Sequence, residues 1–440
     1  TSSIFGSSHR SFLAYYPSIC AAKAIMARIL TSVVGLLLPS MPFPGAALVT
    51  SRSTRRHRSV QQLRQYSFSE FVKDYDRSYM PGTEEWSRRE RLFNASRQEI
   101  VDFQSGSARS WEKAATKFMD YSPEEFKFLL GYRGRGSRGS PIPGSVELYS
   151  RRNQVEVNLP VNVALGKKPG SLIGIVRDQG DCGSCWAEAA TAVLEGAMEQ
   201  NATLVSALMP GLKGKQKFVT LSSQTMVSCT PNPRNCGGKG GCEGATAELG
   251  FEMVQKRGMP LAVEWTYQSG GGGGTSACKD SVFTNNRVGI SGYSVLPSNK
   301  LVPLKQALFE TGSPIVISVD ATGWAFYGGG IYSDVGEGKK GEFTVNHAVV
   351  LTGYQDKTSE EQAYWLVKNS WGQFWGETGF IRVEMKDKEE EHCGWDHNTH
   401  DGLACDGDPD TAWVCGTCGI LYDSSYPTGL YLMEAEQQTA

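Results

Sequence analysis

The spacing of apolar and charged positions changes character along the chain. Between residues 66 and 133, apolar side chains recur at helical spacing among many charges. Within this stretch Glu85, Arg89, Phe93 and Ile100 follow one another at intervals of four, four and seven, which places them on one helix face. From about residue 288, short alternating runs at 314–319, 344–351 and 363–367 predict strands. A helical half followed by a strand-rich half favours an α+β fold with two lobes.

A further helical pattern begins at Cys185 and continues through apolar positions to residue 198. Gly183 and Ser184 precede it, so the Cys185 thiol is predicted in the first helical turn. Unpaired backbone N–H groups and the helix dipole favour negative charge there, and the thiolate is the nucleophilic form of cysteine. Taken alone, the Cys182 and Cys185 pair is as consistent with a structural disulfide or a metal-binding pair as with a catalytic thiol.

Composition limits the class of protein. The chain has 440 residues, enough for two or three domain-sized units, and 40% hydrophobic with 20% charged residues is an ordinary globular mixture. A net charge of −2 gives no indication of a nucleic-acid or anionic-membrane partner. The 11 cysteines are typical of a secreted or lysosomal enzyme with disulfides. No apolar run reaches the roughly 18 residues of a membrane span.

The N-terminal region has the order of a secretory signal peptide. Arg28 follows Met26 and precedes an apolar stretch over 29–38, and small residues follow at 45–47. We therefore expect a leader over 1–50 with a signal peptide at 26–47; a transit peptide or signal anchor is the alternative, because basic residues follow. Asn94 and Asn201 are predicted glycosylation acceptors. The expected destination is a lysosome, a digestive vacuole or the cell exterior.

The stretch from Gln179 to Ala187 resembles the active-site signature of papain-like cysteine peptidases. The resemblance implies that Cys185 is the nucleophile and that Gln179 lends its amide to the oxyanion hole. It also implies two disulfides, Cys182–Cys242 and Cys229–Cys278. Downstream of the predicted leader, the remaining cysteines form an odd set whose pairing the sequence leaves open: Cys236, Cys393, Cys405, Cys415 and Cys418.

Two later blocks extend the resemblance. His347 is the one histidine of the six that lies in a strand-like run, and it resembles the general base of the family. Asn369 opens Asn-Ser-Trp-Gly and resembles the residue that orients this imidazole, with Trp371 expected to shield their hydrogen bond. Glu188 stands where the family has Phe, and a buried carboxylate there would oppose the thiolate.

The resemblance also implies a set of substrate-contacting residues. Asp423 is expected to close the far end of the second substrate pocket, where it suits Arg as well as Leu or Phe; the alternative is that it points to solvent. The residues expected to line the substrate subsites are Gly244, Ala245, Val345, Asn346, Ala348, Trp371 and Asp423.

Residues 51–145 resemble the inhibitory prodomain of the same family, because Glu85, Arg89, Phe93 and Ile100 fall on its long-helix motif. Charged pairs such as Glu85 with Arg89 are expected to help hold it along the cleft. The Gly-, Arg- and Ser-rich stretch over 131–144 has the composition of a cleavable linker. The peptidase domain is therefore expected over 146–440.

The peptidase domain carries an acidic, cysteine-rich insert over 387–415. A disulfide-stapled surface loop is the plainest interpretation of its composition, and a zinc or calcium site is the alternative. We expect no metal and no cofactor.

The resemblance implies a papain-like two-lobed α+β fold, with a helical lobe, a β-barrel-like lobe and a cleft between them, preceded by a mainly helical prodomain. It implies a cysteine endopeptidase made as a zymogen. Two alternatives stay open: an exopeptidase, if the insert closes one end of the cleft, or an inactive homologue that acts as a binding or regulatory module. The expected partners are peptide substrates and the chain's own prodomain, with no nucleic acid, no stable membrane span and a monomeric state.

Overall fold

The structure, a computed structural model, describes residues 58–107, 109–132, 158–211, 219–272, 274–334 and 342–435. The predicted signal peptide at 26–47, most of the predicted linker and the expected start of the peptidase domain lie outside these residues. The α-helices are α1 Val60–Gln65, α2 Phe68–Asp74, α3 Glu84–Ser105, α4 Pro123–Leu129, α5 Cys185–Glu199, α6 Ala202–Leu208, α7 Ser223–Cys229, α8 Ala247–Arg257 and α9 Leu301–Thr311. The strands are β1 Trp111–Lys113, β2 Asn162–Ala164, β3 Arg287–Val295, β4 Ile315–Val319, β5 Tyr327–Tyr332, β6 Glu342–Phe343, β7 His347–Gln355, β8 Tyr364–Lys368, β9 Phe380–Glu384, β10 Cys393–Asp396, β11 Ala412–Cys415 and β12 Asp423–Met433.

The prodomain is built on the long helix α3. Thr83 caps its N-terminus by accepting a backbone hydrogen bond, and Glu84 and Glu85 in its first turn suit the helix dipole. Phe93 and Ile100, which the apolar spacing placed on one face, are fully buried against α1 and α2. The prodomain therefore has a small aromatic core of its own.

Helix α5 forms the centre of the helical lobe. Only Ala197 and Glu199 of its residues are not buried, because apolar side chains occupy nearly every side of the helix. It packs against α7 and α8 and reaches across to β7. Its first turn therefore lies where the two lobes meet. Among the described residues, no helix is both long and apolar enough to cross a bilayer.

The main sheet has nine strands in the order β1-β5-β9-β8-β7-β4-β12-β3, with β2 paired to β7. Within the described strands, β1 and β3 lie at opposite ends of this order, so the sheet is open and does not close into a barrel. The reason is β12, which pairs with β4 near its start and then leaves to pair with β3 in the helical lobe. The prodomain supplies the other end, because its β1 pairs with β5.

Candidate active site

Cys185 is the first residue of α5, and Ser184 precedes it as the N-cap. The Cys182–Cys242 disulfide lies just before the helix and anchors this turn to the next loop. The backbone N–H of Ala348, on β7, points at the Cys185 sulfur at 3.4 Å. Because this N–H and the helix N-terminus both favour negative charge, the position suits a nucleophilic thiol.

His347 begins β7, and Asn369 directly follows the neighbouring strand β8. The Nε2–H of His347 donates to Oδ1 of Asn369 at 2.9 Å, and the same oxygen accepts the Ser370 backbone N–H at 2.7 Å. This second bond fixes the amide with its oxygen toward the ring. Trp371 stacks on the imidazole with ring centroids 4.9 Å apart and shields the hydrogen bond from water.

Gln179 is buried beside the start of α5, and both ends of its amide are engaged. Its Oε1 accepts from the Ser370 hydroxyl at 2.7 Å. Its Nε2 donates to the carbonyl oxygens of Cys182 at 2.9 Å and of Leu129, in the prodomain, at 2.8 Å. The amide therefore presents a donor to a peptide carbonyl inside the cleft, as an oxyanion-hole residue would.

The chain that follows α4 passes directly over these groups. The Cys185 thiol donates to the Leu130 carbonyl at 3.1 Å, and the same oxygen lies 3.3 Å from Nδ1 of His347. A Cβ added to Gly131 would lie 2.6 Å from the Cys185 sulfur, so only glycine fits there. Backbone of the prosegment therefore occupies the place where a substrate peptide would react.

Tyr132, the next residue, fills a pocket between the lobes. Its N–H donates to the Asn346 carbonyl at 3.2 Å, and its hydroxyl lies 3.2 Å from the Ser318 hydroxyl. Ser318 in turn donates to Asp423 at 2.6 Å. Burial and the charge of Asp423 raise the pKa of Glu248, on α8, to about 7. The pocket floor thus holds two carboxyl groups, of which the sequence analysis identified only Asp423.

Burial dominates the protonation of the central pair. It raises the pKa of the Cys185 thiol to about 12, although nearby backbone N–H groups oppose the rise. It lowers the pKa of His347 to about 4, although the hydrogen bond that the ring donates to Asn369 opposes this shift. With the prosegment in place both groups are therefore neutral at ordinary pH, and the thiol is not a thiolate.

The residues expected to contact substrate line the same cleft. A Cβ on Gly244 would lie 1.8 Å from the Gly131 carbonyl oxygen, which explains the need for glycine where peptide backbone passes. Ala245 is fully buried in the helical-lobe core, and Val345 and Ala348 are buried on either side of the His347 position. Asp423 is 5% exposed and does not point to solvent.

Glu188 is buried one turn after Cys185, the placement that would oppose a thiolate. Its charge is balanced by Arg177, whose guanidinium lies 3.4 Å from Glu188 and 2.6 Å from Glu195 on the same helix. Burial raises the pKa of Glu188, and the nearby Arg177 partly offsets that rise. The Glu188 carboxylate was identified from the sequence, but its partner Arg177, eleven positions upstream, was not.

The charged pairs expected to hold the prodomain on the cleft do not lie at that interface. Glu85 pairs with Arg89 one turn later on α3, and Arg89 also bonds Glu125, so this network is internal to the prodomain. Polar contacts to the peptidase domain are instead Lys117–Asp178 at 2.6 Å, Tyr121–Asp181 at 2.6 Å and Lys127–Asp401 at 2.8 Å. Long-range packing, which helical spacing cannot reveal, decides which charges face the enzyme.

The structure contains the two disulfides that the resemblance implied, Cys182–Cys242 and Cys229–Cys278. It adds Cys236–Cys405 and Cys393–Cys415, both of which involve the insert, and leaves Cys418 as a buried thiol. The sequence separations of these pairs are 169 and 22 residues, and no spacing rule assigns either of them. Four disulfides are typical of a protein that folds in an oxidising compartment.

Within the described residues, no group of three or more His, Cys, Asp or Glu side chains is arranged to hold a metal ion. Two of the insert's acidic residues are buried, and they accept hydrogen bonds from backbone N–H groups instead. Asp396 accepts the N–H groups of Val345 and Asn398, and Asp408 accepts that of Cys405. The insert is therefore an ordered structure held by its own carboxylates, rather than a purely solvated acidic loop.

Two kinds of functional group were not identified from the sequence. One is the backbone of Leu129 and Leu130, whose carbonyls carry no sequence signature. The other is Glu248, whose only signal is that it follows the predicted subsite residue Gly244 by four positions, in the first turn of α8. Of the predicted glycosylation acceptors, Asn94 is exposed on α3, and Asn201 caps α6 by accepting the Leu204 N–H.

Comparison with known proteins gives the same picture over most of the chain. Residues 159–402 match the description of a papain family cysteine protease, and residues 68–126 match a cathepsin propeptide inhibitor domain. Cathepsin J of Rattus norvegicus is 32% identical over 325 residues, which cover 73% of this chain and 86% of that protein. Cysteine endopeptidase RepA of Oryza sativa subsp. japonica is 29% identical over 350 residues, 77% of each protein.

Solved structures of precursors share the fold over most of the chain. A recombinant stem bromelain precursor is 25% identical with a TM-score of 0.58, covering 82% of this chain and 97% of that one. Digestive procathepsin L 3 of Tenebrio molitor is 24% identical with a TM-score of 0.57, covering 84% of this chain and 100% of that one. Because the peptidase match spans more than half of the chain, the protein belongs to the papain family of cysteine proteases and is built as a zymogen with a propeptide inhibitor domain.

Proposed function

We propose that the mature protein hydrolyses peptide bonds through a thioester on Cys185, with His347 as base and then acid and Asn369 as the residue that orients the ring. The observation that carries this assignment is the peptide backbone already held in the site. The Leu129 carbonyl bonds the Gln179 amide, and the Leu130 carbonyl lies between the thiol and the imidazole. A substrate carbonyl bound in this space would meet a nucleophile, a proton carrier and an oxyanion donor together.

The proposed reaction transfers an acyl group in two steps. The Cys185 sulfur attacks the scissile carbonyl carbon while the oxygen becomes an oxyanion held by Gln179 Nε2 and the Cys185 backbone N–H. His347 gives its proton to the leaving amine as the carbon–nitrogen bond breaks. Water then attacks the thioester carbon while His347 accepts its proton. The carbon–sulfur bond breaks, the carboxylic acid leaves, and the Cys185 sulfur takes the proton back from His347. The sequence-based expectation is that internal bonds are cleaved.

The proposed zymogen is catalytically inactive for two reasons. The prosegment fills the cleft from Leu129 to Tyr132, and its cover keeps Cys185 protonated and His347 neutral. We assign the prodomain and linker to 51–145 and the peptidase domain to 146–440. We also propose that the leader directs the chain to a lysosome, a digestive vacuole or the cell exterior, where the disulfides would form on the way. The mature enzyme is proposed to be a monomer without a cofactor.

The pocket that now holds Tyr132 supports a preference for a long side chain with a polar or basic end. Its wall contains the apolar residues Val345 and Ala348, and its floor contains Asp423 and Glu248. An Arg side chain could bury its stem against that wall and bond a carboxylate, while Leu would use the wall alone.

Labelling of the mature protein with an epoxide thiol inhibitor tests the proposed function. We expect one adduct, on Cys185, and loss of both adduct and peptidase activity in Cys185→Ala. Cys418→Ala is the matched control, since it removes the other buried thiol and should leave both intact. Activity retained in Cys185→Ala would refute the mechanism, and absence of labelling in the wild type would favour the inactive-homologue alternative.

A further inference from the structure

The acidic insert is fastened first to the β lobe. Its strands β10 and β11 form a hairpin closed by the Cys393–Cys415 disulfide, and β10 pairs in parallel with β6. Asp396, at the end of β10, accepts the backbone N–H of Val345, two residues before His347. The base of the insert is therefore attached directly to the wall of the substrate cleft.

The middle of the insert is fastened to the opposite lobe. We call residues 399–406 the strap. Cys405 forms a disulfide with Cys236, the Gly237 N–H donates to the Ala404 carbonyl at 2.9 Å, and the Asp406 N–H donates to a backbone carbonyl two residues before Cys236, at 2.8 Å. The strap thus joins the helical lobe by a covalent bond and two backbone hydrogen bonds, while the strands β10 and β11 that flank it belong to the β lobe.

The strap crosses the cleft beside the pocket of Tyr132. On one side a Cβ at Gly237 would lie 3.0 Å from the Tyr132 ring, and on the other a Cβ at Gly402 would lie 2.3 Å from the Val345 carbonyl oxygen. Leu403 packs against both the helical-lobe core and the small cluster around Val345. The strap therefore spans the two walls that hold Tyr132 between them.

The chemistry indicates which half of a substrate meets the strap. The leaving amine must lie beside His347, which protonates it, and Trp371 flanks that side. The acyl half then extends the other way, past Gly244 and into the Tyr132 pocket. In the zymogen Gly131 lies against Cys185 and Tyr132 occupies the pocket, so two residue positions separate the nucleophile from the strap.

We propose that the strap closes the acyl side of the cleft after two residues, so that the mature enzyme removes dipeptides from free N-termini. The proposal rests on the proposed function and favours the exopeptidase alternative. Asp401 gives the strap a negative charge, and in the zymogen its carboxylate binds a primary ammonium group, that of Lys127 in the prosegment, at 2.8 Å. Once the prosegment is released, this carboxylate binds the N-terminal ammonium group of a substrate.

The test compares three substrates with the same dipeptide and the same fluorogenic leaving group: a free N-terminus, an N-acetyl cap and an N-terminal extension of several residues. Disulfides are kept intact and verified by mass. We expect wild-type mature enzyme to prefer the free dipeptide over the extended peptide by about a hundredfold in kcat/KM, the scale of a displaced reacting geometry. Equal kcat/KM for the three substrates would overturn the proposal without the need for any variant.

Two variants identify the strap as the cause. Cys236→Ser with Cys405→Ser should raise turnover of the extended peptide toward that of the free dipeptide, because the strap loses its tether to the helical lobe. Cys393→Ser with Cys415→Ser is the matched control, since it removes one disulfide of the same insert and leaves the tether. An extended-to-free ratio that is the same in both double variants and in the wild type would contradict the assignment.

A charge test separates exclusion by bulk from recognition of the free N-terminus. Asp401→Asn should lower kcat/KM for the free dipeptide and leave that for the acetylated one unchanged, whereas Asp387→Asn, in the same insert but outside the strap, should change neither. Epoxide labelling of Cys185 measures active enzyme independently of these substrates. If Cys185 is labelled but the enzyme shows no preference for substrate length, only the strap proposal is contradicted. If the enzyme is neither labelled nor active, the proposed function itself is contradicted.

Discussion

Arg177 shows how one residue can decide whether a buried charge is tolerable. Its guanidinium serves Glu188 and Glu195, both buried on the helix that carries Cys185. Removing the guanidinium takes away the cation that pairs directly with both buried carboxylates. Such a loss is much more costly than loss of an exposed ion pair, because desolvation of the remaining charge is no longer offset.

We therefore expect Arg177→Met to lower the free energy of unfolding by about 3–5 kcal/mol. Arg234→Met is the control, because its side chain is 45% exposed and its guanidinium lies 3.7 Å from Asp408, a contact that should contribute no more than about 1 kcal/mol. Urea denaturation of the Cys185→Ala zymogen measures both values. Equal effects of the two substitutions would show that the buried network contributes nothing specific.

The pocket floor offers a second prediction at the residue scale. Asp423→Ala should reduce kcat/KM for substrates with Arg in this pocket by about 1–3 kcal/mol of transition-state binding, the scale of hydrogen bonds to charged groups. Substrates with Leu there should be spared, because Leu uses only the apolar wall. Paired assays with Arg and Leu substrates measure the ratio, and an equal loss for both would mean that Asp423 acts on the fold instead.

Glu248 should make this selectivity depend on pH. Burial and Asp423 raise its pKa to about 7, so the pocket gains its second negative charge only as the pH rises through that value. The preference for Arg over Leu should therefore increase between about pH 5 and about pH 8. Glu248→Gln cannot ionise and should flatten the profile; a profile unchanged by that substitution would exclude Glu248 as its source.

At the scale of elements, the segment after α4 inhibits through shape. Gly131 has φ of +78°, and a Cβ there would lie 2.6 Å from the Cys185 sulfur. Gly82 has nearly the same backbone, φ of +83°, but a Cβ there would meet nothing within 4 Å. The two glycines thus separate the cost of a strained backbone from the cost of a clash in the active site.

We expect Gly131→Ala to weaken inhibition of the mature enzyme by a peptide of residues 58–132 by more than about tenfold relative to Gly82→Ala. Both substitutions incur the cost of a left-handed backbone, about 1–2 kcal/mol. Inhibition constants with a fluorogenic substrate provide the measurement. Similar constants for the two variants would place Gly131 elsewhere than at the nucleophile.

The same segment should be released by acid. Burial in the zymogen lowers the pKa of His347 from 6.5 to about 4, although its hydrogen bonds to Asn369 and to the Leu130 carbonyl oppose the shift. We expect release of the prosegment to let water reach the imidazole and to raise this pKa again. Between these values the released enzyme binds the extra proton, so prosegment affinity falls as the pH drops from 6.5 toward 4 and levels off below. The maximum contribution is about 3 kcal/mol.

Binding of the 58–132 peptide to mature Cys185→Ala, followed by calorimetry across this pH window, measures that loss. His347→Gln removes the titrating group and should leave a shallower pH dependence, carried by carboxylates such as Asp178 and Asp401 at the interface. An identical pH profile in the two proteins would show that His347 does not couple acid to release.

At the scale of the whole molecule, three modules share one cleft. The prodomain extends the main sheet with β1 and places Phe118 and Phe126 against Trp371. The peptidase lobes contribute Cys185 from a helix and His347 from a strand. The insert then ties the two lobes together through Cys236–Cys405. Inhibition, chemistry and the length of the cleft are thus set by three different parts of the chain.

Local patterns predicted much of this arrangement. The helical run after Ser184 predicted a helix with Cys185 in its first turn, and α5 begins there. The alternating residues around His347 predicted a strand, and β7 begins at His347. These features follow from the sequence because capping, helical spacing and strand alternation act between near neighbours, and because short motifs carry the family resemblance.

Contacts between distant residues were decided only by the tertiary structure. The sequence left Cys236 and Cys405, 169 positions apart, without partners, and could not show that Arg177 balances Glu188. It also suggested that the Glu85–Arg89 pair faces the enzyme, whereas that pair lies within the prodomain. Pairing of charges and thiols depends on which surfaces packing brings together. Apolar burial across the whole chain sets that packing, and no local spacing encodes it.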